Sequence, residues 1–191
     1  MNKRNIAVFA SGSGSNFAAI ANAAITGRIN ANISLLVCDK PGAKVIARAK
    51  TLGIPTLVCD PKGFPSRDAH EMHILTALRK AGVEFIVLAG YMRIIGQPLL
   101  TAYGGKITNI HPSLLPDFPG INAIKRAFES GATKTGVTVH YIDEGVDTGP
   151  VIAQVEVDIL PDDTHETLET RIHEAEHELY VDVLKGLFAG G

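Results

Sequence analysis

Residues 6 to 16 read Ile6-Ala7-Val8-Phe9-Ala10-Ser11-Gly12-Ser13-Gly14-Ser15-Asn16. Five apolar residues run straight into a turn of serines and glycines, which is how a buried strand ends. Beyond the turn, Phe17, Ile20, Ala21, Ala24 and Ile25 recur at helical spacing over residues 16 to 26, and Gly27 supplies a stop. Strand, tight turn and helix are the opening unit of an α/β sheet.

The same alternation continues outward. Ile33 to Cys38 reads as a second strand. Residues 43 to 52 form a helix with Val45, Ile46 and Ala49 inward, closed by Gly53. Ile54 to Val58 is a third strand. Ser66 is an N-cap for a helix reaching about Lys80, with Met72, Leu75 and Leu78 on one face and Gly82 as its stop. Phe85-Ile86-Val87-Leu88-Ala89 is apolar throughout and predicts a central strand covered on both faces. Such an order predicts a right-handed, doubly wound parallel sheet.

Past residue 89 the pattern loosens. Ile107 to Ile110 is a short strand and residues 120 to 130 fit a helix. Gly136 to Ile142 and Val151 to Val157 alternate as strands around a Gly- and Asp-rich loop, a hairpin-like pair. Asp163 and Glu166 have the spacing of a capping box. A long amphipathic helix follows, with Leu168, Ile172, Ala175, Leu179 and Leu184 inward. With no repeat, linker or low-complexity tract, residues 1–191 read as one domain.

Composition narrows the function. Hydrophobic residues make up 46% of the 191 and charged residues 20%, so a sizeable core can form. A net charge of −2 leaves no basic field for a nucleic-acid backbone. No apolar run approaches the roughly 20 residues a membrane span requires. The apolar stretch after Met1-Asn2-Lys3-Arg4-Asn5 is too short for a secretory signal. Cys38 and Cys59 lie in apolar runs with no CxxC partner or nearby histidine, as buried reduced thiols of a cytoplasmic protein do.

Three motifs carry candidate chemistry. Ser11 to Asn16 joins a strand to a helix N-terminus, where glycines admit close backbone approach and free N–H groups favour an anion. A phosphomonoester fits. A dinucleotide also fits, although Phe17 occupies the third position of GxGxxG; Asp39 lies where an acidic ribose ligand would be. An ordinary strand-to-helix turn remains open, and a P-loop is excluded because no Gly-Lys-Ser/Thr follows.

Asn109 and His111 stand two apart at a strand end, so their side chains share one side, roughly 6 to 7 Å apart at Cα. An amide donor beside an imidazole suits acyl transfer, and simple polar capping suits the spacing too. Pro112 and Pro116 stiffen the residues that follow. Asp143-Glu144-Gly145-Val146-Asp147-Thr148-Gly149-Pro150 is either a solvated turn or a loop that brings one carboxylate to a histidine such as His140. It lacks the spacing of a Ca²⁺ loop.

Together, Gly14-Ser15-Asn16, Met92-Arg93-Ile94-Ile95, Asn109-Ile110-His111-Pro112-Ser113-Leu114-Leu115-Pro116 and Asp143 to Pro150 resemble the folate-dependent formyltransferases, and within them the glycinamide ribonucleotide branch of purine synthesis. The likeness covers essentially the whole chain. It implies a Rossmann-like, mostly parallel seven-stranded sheet flanked by helices, with a long C-terminal helix. It implies Asn109, His111 and Asp147 as the catalytic trio, with His140 behind it. Gly14, Ser15, Asn16, His173 and Glu176 are implied to bind glycinamide ribonucleotide. Arg67, Met92, Arg93, Ile94, Ile95, Asn109, Asp143, Glu144, Gly145, Val146 and Asp147 are implied to bind the folate. The co-substrate implied is 10-formyltetrahydrofolate, without a metal, in a cytoplasmic monomer or homodimer that works on small molecules, with neither nucleic acid nor membrane as partner.

The sequence departs from that pattern at Ile121-Asn122-Ala123-Ile124, where the family often carries a histidine. Two relatives within the superfamily differ in acceptor or architecture. A formyl-folate hydrolase uses water and an added N-terminal domain, and a methionyl-tRNA formyltransferase an added C-terminal one; residues 1–191 are expected to have neither. A nucleotide-binding module of another class accounts for the first motif alone.

Overall fold

The computed structural model describes residues 2–190. Strands and helices alternate through β1 (Arg4–Ala10), α1 (Ser15–Ile25), β2 (Ala31–Cys38), α2 (Lys44–Thr51), β3 (Thr56–Val58), α3 (Arg67–Lys80) and β4 (Phe85–Leu88). The chain continues through α4 (Gln97–Tyr103), β5 (Ile107–His111), α5 (Ala123–Glu129), β6 (Lys134–Tyr141), β7 (Val151–Asp158) and α6 (His165–Leu187). They build the seven-stranded, mostly parallel, Rossmann-like sheet expected, in the order β3-β2-β1-β4-β5-β6-β7. β3 to β5 are parallel to one another, and the hairpin-like pair β6 and β7 adds antiparallel strands at one edge.

Alternation along β1 shows why both faces need helices. Ile6, Val8 and Ala10 enter the core that includes Phe17 and Ile20 of α1 and Ile172 and Leu184 of α6. Ala7 and Phe9 enter the opposite core, with Ile74 and Leu78 of α3 and Leu99 of α4. The strand order reverses between β1 and β4, and it is beyond the carboxyl ends of the strands at such a reversal that these sheets bind ligands. Ser11 N donates to Gly90 O at 3.0 Å across that point.

α6 runs antiparallel to β4. Its Phe188 ring meets Phe85 edge-on at the start of β4, whereas the Tyr180 hydroxyl donates to Leu88 O at 2.9 Å at its end. Side chains one turn before Tyr180 therefore stand at the carboxyl rim of the sheet.

Two local expectations need correction, and one helix had none. Met72 is exposed, and the inward face of α3 is instead His70, Glu71, Ile74, Leu75 and Leu78. Two buried polar residues on that face turn its apolar pattern away from the true inward direction. The capping box of α6 belongs to Thr164 and Thr167, one residue past the spacing of Asp163 and Glu166. Asp163 instead accepts from Leu160 N and grips Arg171 with both oxygens, which holds its carboxyl far below the ordinary range. α4 gave no pattern to read: it has seven residues, of which Leu99 and Tyr103 are buried. No helix among the described residues is long and apolar enough to cross a membrane. Cys38 and Cys59 are buried free thiols, and burial pushes both up from the usual thiol value.

Candidate active site

The turn after β1 is fixed from below. Gly14 caps α1 in the left-handed conformation, φ 76°. A Cβ there would stand 2.6 Å from Val45 Cγ2, so this position requires glycine for space as well as for conformation. α2 holds the turn twice more: Val45 N donates to Gly12 O at 3.1 Å and Arg48 Nε to Ser13 O at 2.7 Å. No side chain caps α1 and its first turn carries no acid, so its N–H groups remain available to an anion. Asn16 in that turn is buried, and its Oδ1 has no hydrogen-bond partner.

Asp39 is committed elsewhere. It accepts from Ser11 Oγ at 2.5 Å and from Arg93 Nε at 2.9 Å, so it is not free for a ribose. Ser11 Oγ also accepts from Met92 N at 2.9 Å. Arg67 Nη2 donates to Ile94 O at 2.6 Å. The segment between β4 and α4 is thus tied down with Met92 and Ile94 exposed and Ile95 buried in the α3–α4 core.

Register places the next cluster. Phe9, Leu88, Asn109 and His140 lie level across β1, β4, β5 and β6. Asn109 therefore sits two strands from the glycine turn, about 10 Å in sheet spacing. His111 lies one alternation beyond it, with Ile110 between them turned into the core. His111 Nδ1 lies 3.4 Å from Asp147 Oδ2, and Nε2 lies 2.8 Å from Phe118 O. Both ring nitrogens face acceptors, so a ring carrying two N–H groups satisfies both. His140, fully buried, lies behind: its Nε2 is 3.6 Å from Asp147 Oδ1 and 3.4 Å from Asn109 Nδ2, and its Nδ1 donates to Tyr141 O at 2.9 Å. Of the acids in the loop, Asp147 is the one that meets the histidines.

Burial pushes the Asp147 carboxyl up, yet the His140 ring, the Gly120 N–H at 2.8 Å and the nearby His111 outweigh it and leave it below the ordinary carboxylate value. Asp147, Phe118 and Asn122 all have positive φ without being glycine. Two loops are thus held in costly conformations where they meet over His111, a placement that clusters at functional sites. Arg126 supports one of them by donating to the carbonyls of Pro119 and Ile121. Asp143 braces the other, accepting from Gly145 N at 2.9 Å and Thr148 Oγ1 at 2.7 Å. Glu144 accepts from Gln97 Nε2 at 2.7 Å and anchors that loop to α4, leaving Val146 exposed.

On α6, Glu176 lies one turn before Tyr180, at the carboxyl rim, buried and bonded to His173 Nδ1 at 2.6 Å. That carboxylate holds the His173 imidazole above its ordinary value against the opposing effect of burial. Cations also line a hollow at the other end of the strands, formed by Arg4, Arg79 and Lys106. Arg79 lies in the last turn of α3, and Glu84 lines the same hollow, so its charges are mixed. Among the described residues no group of three or more His, Cys, Asp or Glu is arranged to hold a metal.

The family model described as formyl transferase matches residues 4–184. The chain belongs to the formyl transferase family. It is 54% identical over 184 residues to phosphoribosylglycinamide formyltransferase of Bacillus subtilis, covering 96% of this chain and 94% of that one. It is 45% identical over 190 residues to the trifunctional purine biosynthetic protein adenosine-3 of Drosophila pseudoobscura pseudoobscura, of which it spans 14%. The crystal structure of glycinamide ribonucleotide transformylase 1 from Geobacillus kaustophilus superposes with a TM-score of 0.95, at 57% identity, covering 97% of this chain and 99% of that one.

Within this formyl transferase, sequence reading missed the polar frame under the His111 loop. Thr138 Oγ1 donates to Ser113 O at 2.7 Å and accepts from Leu115 N and Gln154 Nε2. Its signal was the Thr138–His111 pairing between antiparallel strands, which becomes visible only once the register is known.

Proposed function

We propose that this formyl transferase moves the formyl group of 10-formyltetrahydrofolate to the primary amine of glycinamide ribonucleotide, in de novo purine biosynthesis. The observation that carries the reading is the contact of Asp147 with both His111 and His140 beside Asn109, on the rim that also carries the uncapped turn. The turn takes the substrate phosphate through Gly14, Ser15 and Asn16. Glu176, with His173, takes the ribonucleotide beyond it. Met92 to Ile95, Arg67 and the Asp143–Asp147 loop take the folate.

The acceptor amine is its own nucleophile, so no Ser or Cys nucleophile is needed. Its nitrogen bonds to the formyl carbon and the carbonyl oxygen becomes an oxyanion. Asn109 Nδ2 and the His111 N–H stabilise that charge, His111 exchanging the Phe118 carbonyl for it. Collapse breaks the bond from carbon to N10. The proton lost by the amine reaches N10 through His111 or a water that it orders, while Asp147 holds the imidazolium. Binding both substrates side by side supplies much of the remaining acceleration. The N-terminal half of one domain holds the phosphate, and the C-terminal half holds the chemistry and the folate, the latter together with Arg67 and Met92 to Ile95. Buried free thiols support a cytosolic location.

The direct test mixes protein and 10-formyltetrahydrofolate with and without glycinamide ribonucleotide and follows the folate absorbance. A change that needs the ribonucleotide supports transfer; a change without it means hydrolysis, and none rejects both. Asn16→Ala should raise the KM for the ribonucleotide about tenfold, as loss of a hydrogen bond to a charged group does, with the folate KM unmoved. A shift in the folate KM instead removes the phosphate from this turn.

A further inference from the structure

The segment from Tyr91 to Gly96 has no ladder of its own, and side chains outside it fix its course. Ser11 and Asp39 hold its first half through Met92 N and Arg93. α3 holds the second half with two residues one turn apart, Arg67 on Ile94 O and Glu71 on Gly96 N. Glu71 is the unusual member. A carboxylate is seldom buried unless it is paired, and Glu71 is buried with one ion pair, to the half-exposed Arg67, whose Nε stands 3.6 Å away. Oε1 accepts from Gly96 N at 2.6 Å, and Oε2 has no partner at all.

Gly96 shows how tight this contact is. Its φ of −100° suits any residue, so the backbone does not demand glycine. Space favours it: a Cβ would stand 2.9 Å from Glu71 Oε2, 3.0 Å from Oε1 and 3.1 Å from Arg67 Nε, so those side-chain ends would have to shift. An apolar side chain at 71 would fill the α3 face without an orphaned oxygen. What the carboxylate adds is the fixed course of the loop and the placement of Arg67.

We propose that Glu71 is a positioning residue for the formyl donor. By holding Gly96 N–H and Arg67 it keeps Met92 and Ile94 exposed in one arrangement against the folate. The proposal rests on the reading that this segment binds folate. It predicts loss of donor affinity without loss of fold.

The test compares Glu71→Leu, Glu71→Gln and Gly96→Ala with the wild type. It reads the KM for each substrate, the melting temperature, and calorimetric binding of a non-transferable reduced-folate analogue. Glu71→Leu should raise the donor KM and the analogue Kd about tenfold, the scale of one charge-assisted hydrogen bond. The ribonucleotide KM should stay within about twofold. The melting temperature should hold or rise, because an apolar replacement removes the buried orphan oxygen. Glu71→Gln, whose amide oxygen still accepts from Gly96 N, should recover most of the affinity. Gly96→Ala, which pushes on the same contact and leaves Glu71 in place, should weaken the donor like Glu71→Leu and serves if that variant does not fold. Unchanged donor affinity in Glu71→Leu or Gly96→Ala, or equal rises in both KM values with a lower melting temperature, overturns the proposal. A wild type that binds the analogue but transfers no formyl group would instead count against the proposed reaction and leave Glu71 testable by binding.

Discussion

His111→Ala should lower kcat by about 10²–10³-fold or more, with the KM for glycinamide ribonucleotide nearly unchanged. One donor to a developing oxyanion is worth that much, and this ring also handles the proton that N10 must gain. The phosphate turn lies two strands away and shares no hydrogen bond with His111, so ribonucleotide binding has no reason to fail. Nor should the sheet. His111 ends β5, and its ring bonds to a loop carbonyl and a loop carboxylate rather than into either apolar core. Steady-state kinetics with both substrates, beside a melting curve, check the expectation. Wild-type turnover would remove His111 from the chemistry. A matching loss of ribonucleotide affinity would make it a binding residue instead. Asn109→Ala should fall in the same range, because its amide is the second donor; an intact rate there would leave the oxyanion to His111 alone.

The parts of this fold that can be read from sequence are those where period and burial agree. β1, β4 and α1 show it: each is apolar in the pattern its element requires, and each is buried accordingly. Elements that bury polar groups read poorly. α3 turns His70 and Glu71 inward, so Met72 looked like a core residue and is solvent-exposed. At the site, the strand alternation of Asn109 and His111 could be read locally, since it depends on two residues of one strand. The meeting of Asp147 with His111 could not. It depends on antiparallel pairing of β5 with β6 and on a loop with positive φ, and neither is written in the spacing of Asp143 to Pro150. Family resemblance supplied that residue. Asp39 shows the opposite failure. Its position suggested a ribose ligand, but Ser11 and Arg93, distant in sequence, occupy its carboxylate.

Asp147→Asn isolates the charge, because the change keeps the shape. Asparagine tolerates the left-handed backbone that Asp147 adopts at φ 54°, so the loop can keep its course. Its Oδ1 can still accept from Gly120 N, but its other terminus then carries two N–H donors where a carboxylate oxygen had stood. Those donors face His140 Nε2, and the negative charge beside the His111 ring is lost. Turnover should fall on the order of 10²-fold or more, as when a buried carboxylate that orients a catalytic imidazole is neutralised. The acidic limb of the pH–rate profile should flatten or move; a variant with the wild-type profile would dissolve the pairing. Stability gives an independent check with a definite sign. The folded-state value of Asp147 is depressed, so its ionised form stabilises the native protein above the ordinary carboxylate range, and that contribution is lost as pH falls through the depressed value. Asp147→Asn should therefore melt below the wild type near neutral pH, with the gap closing under acid. A gap that widened on acidification would mean that burial, and not the two histidines and Gly120 N–H, governs this carboxylate.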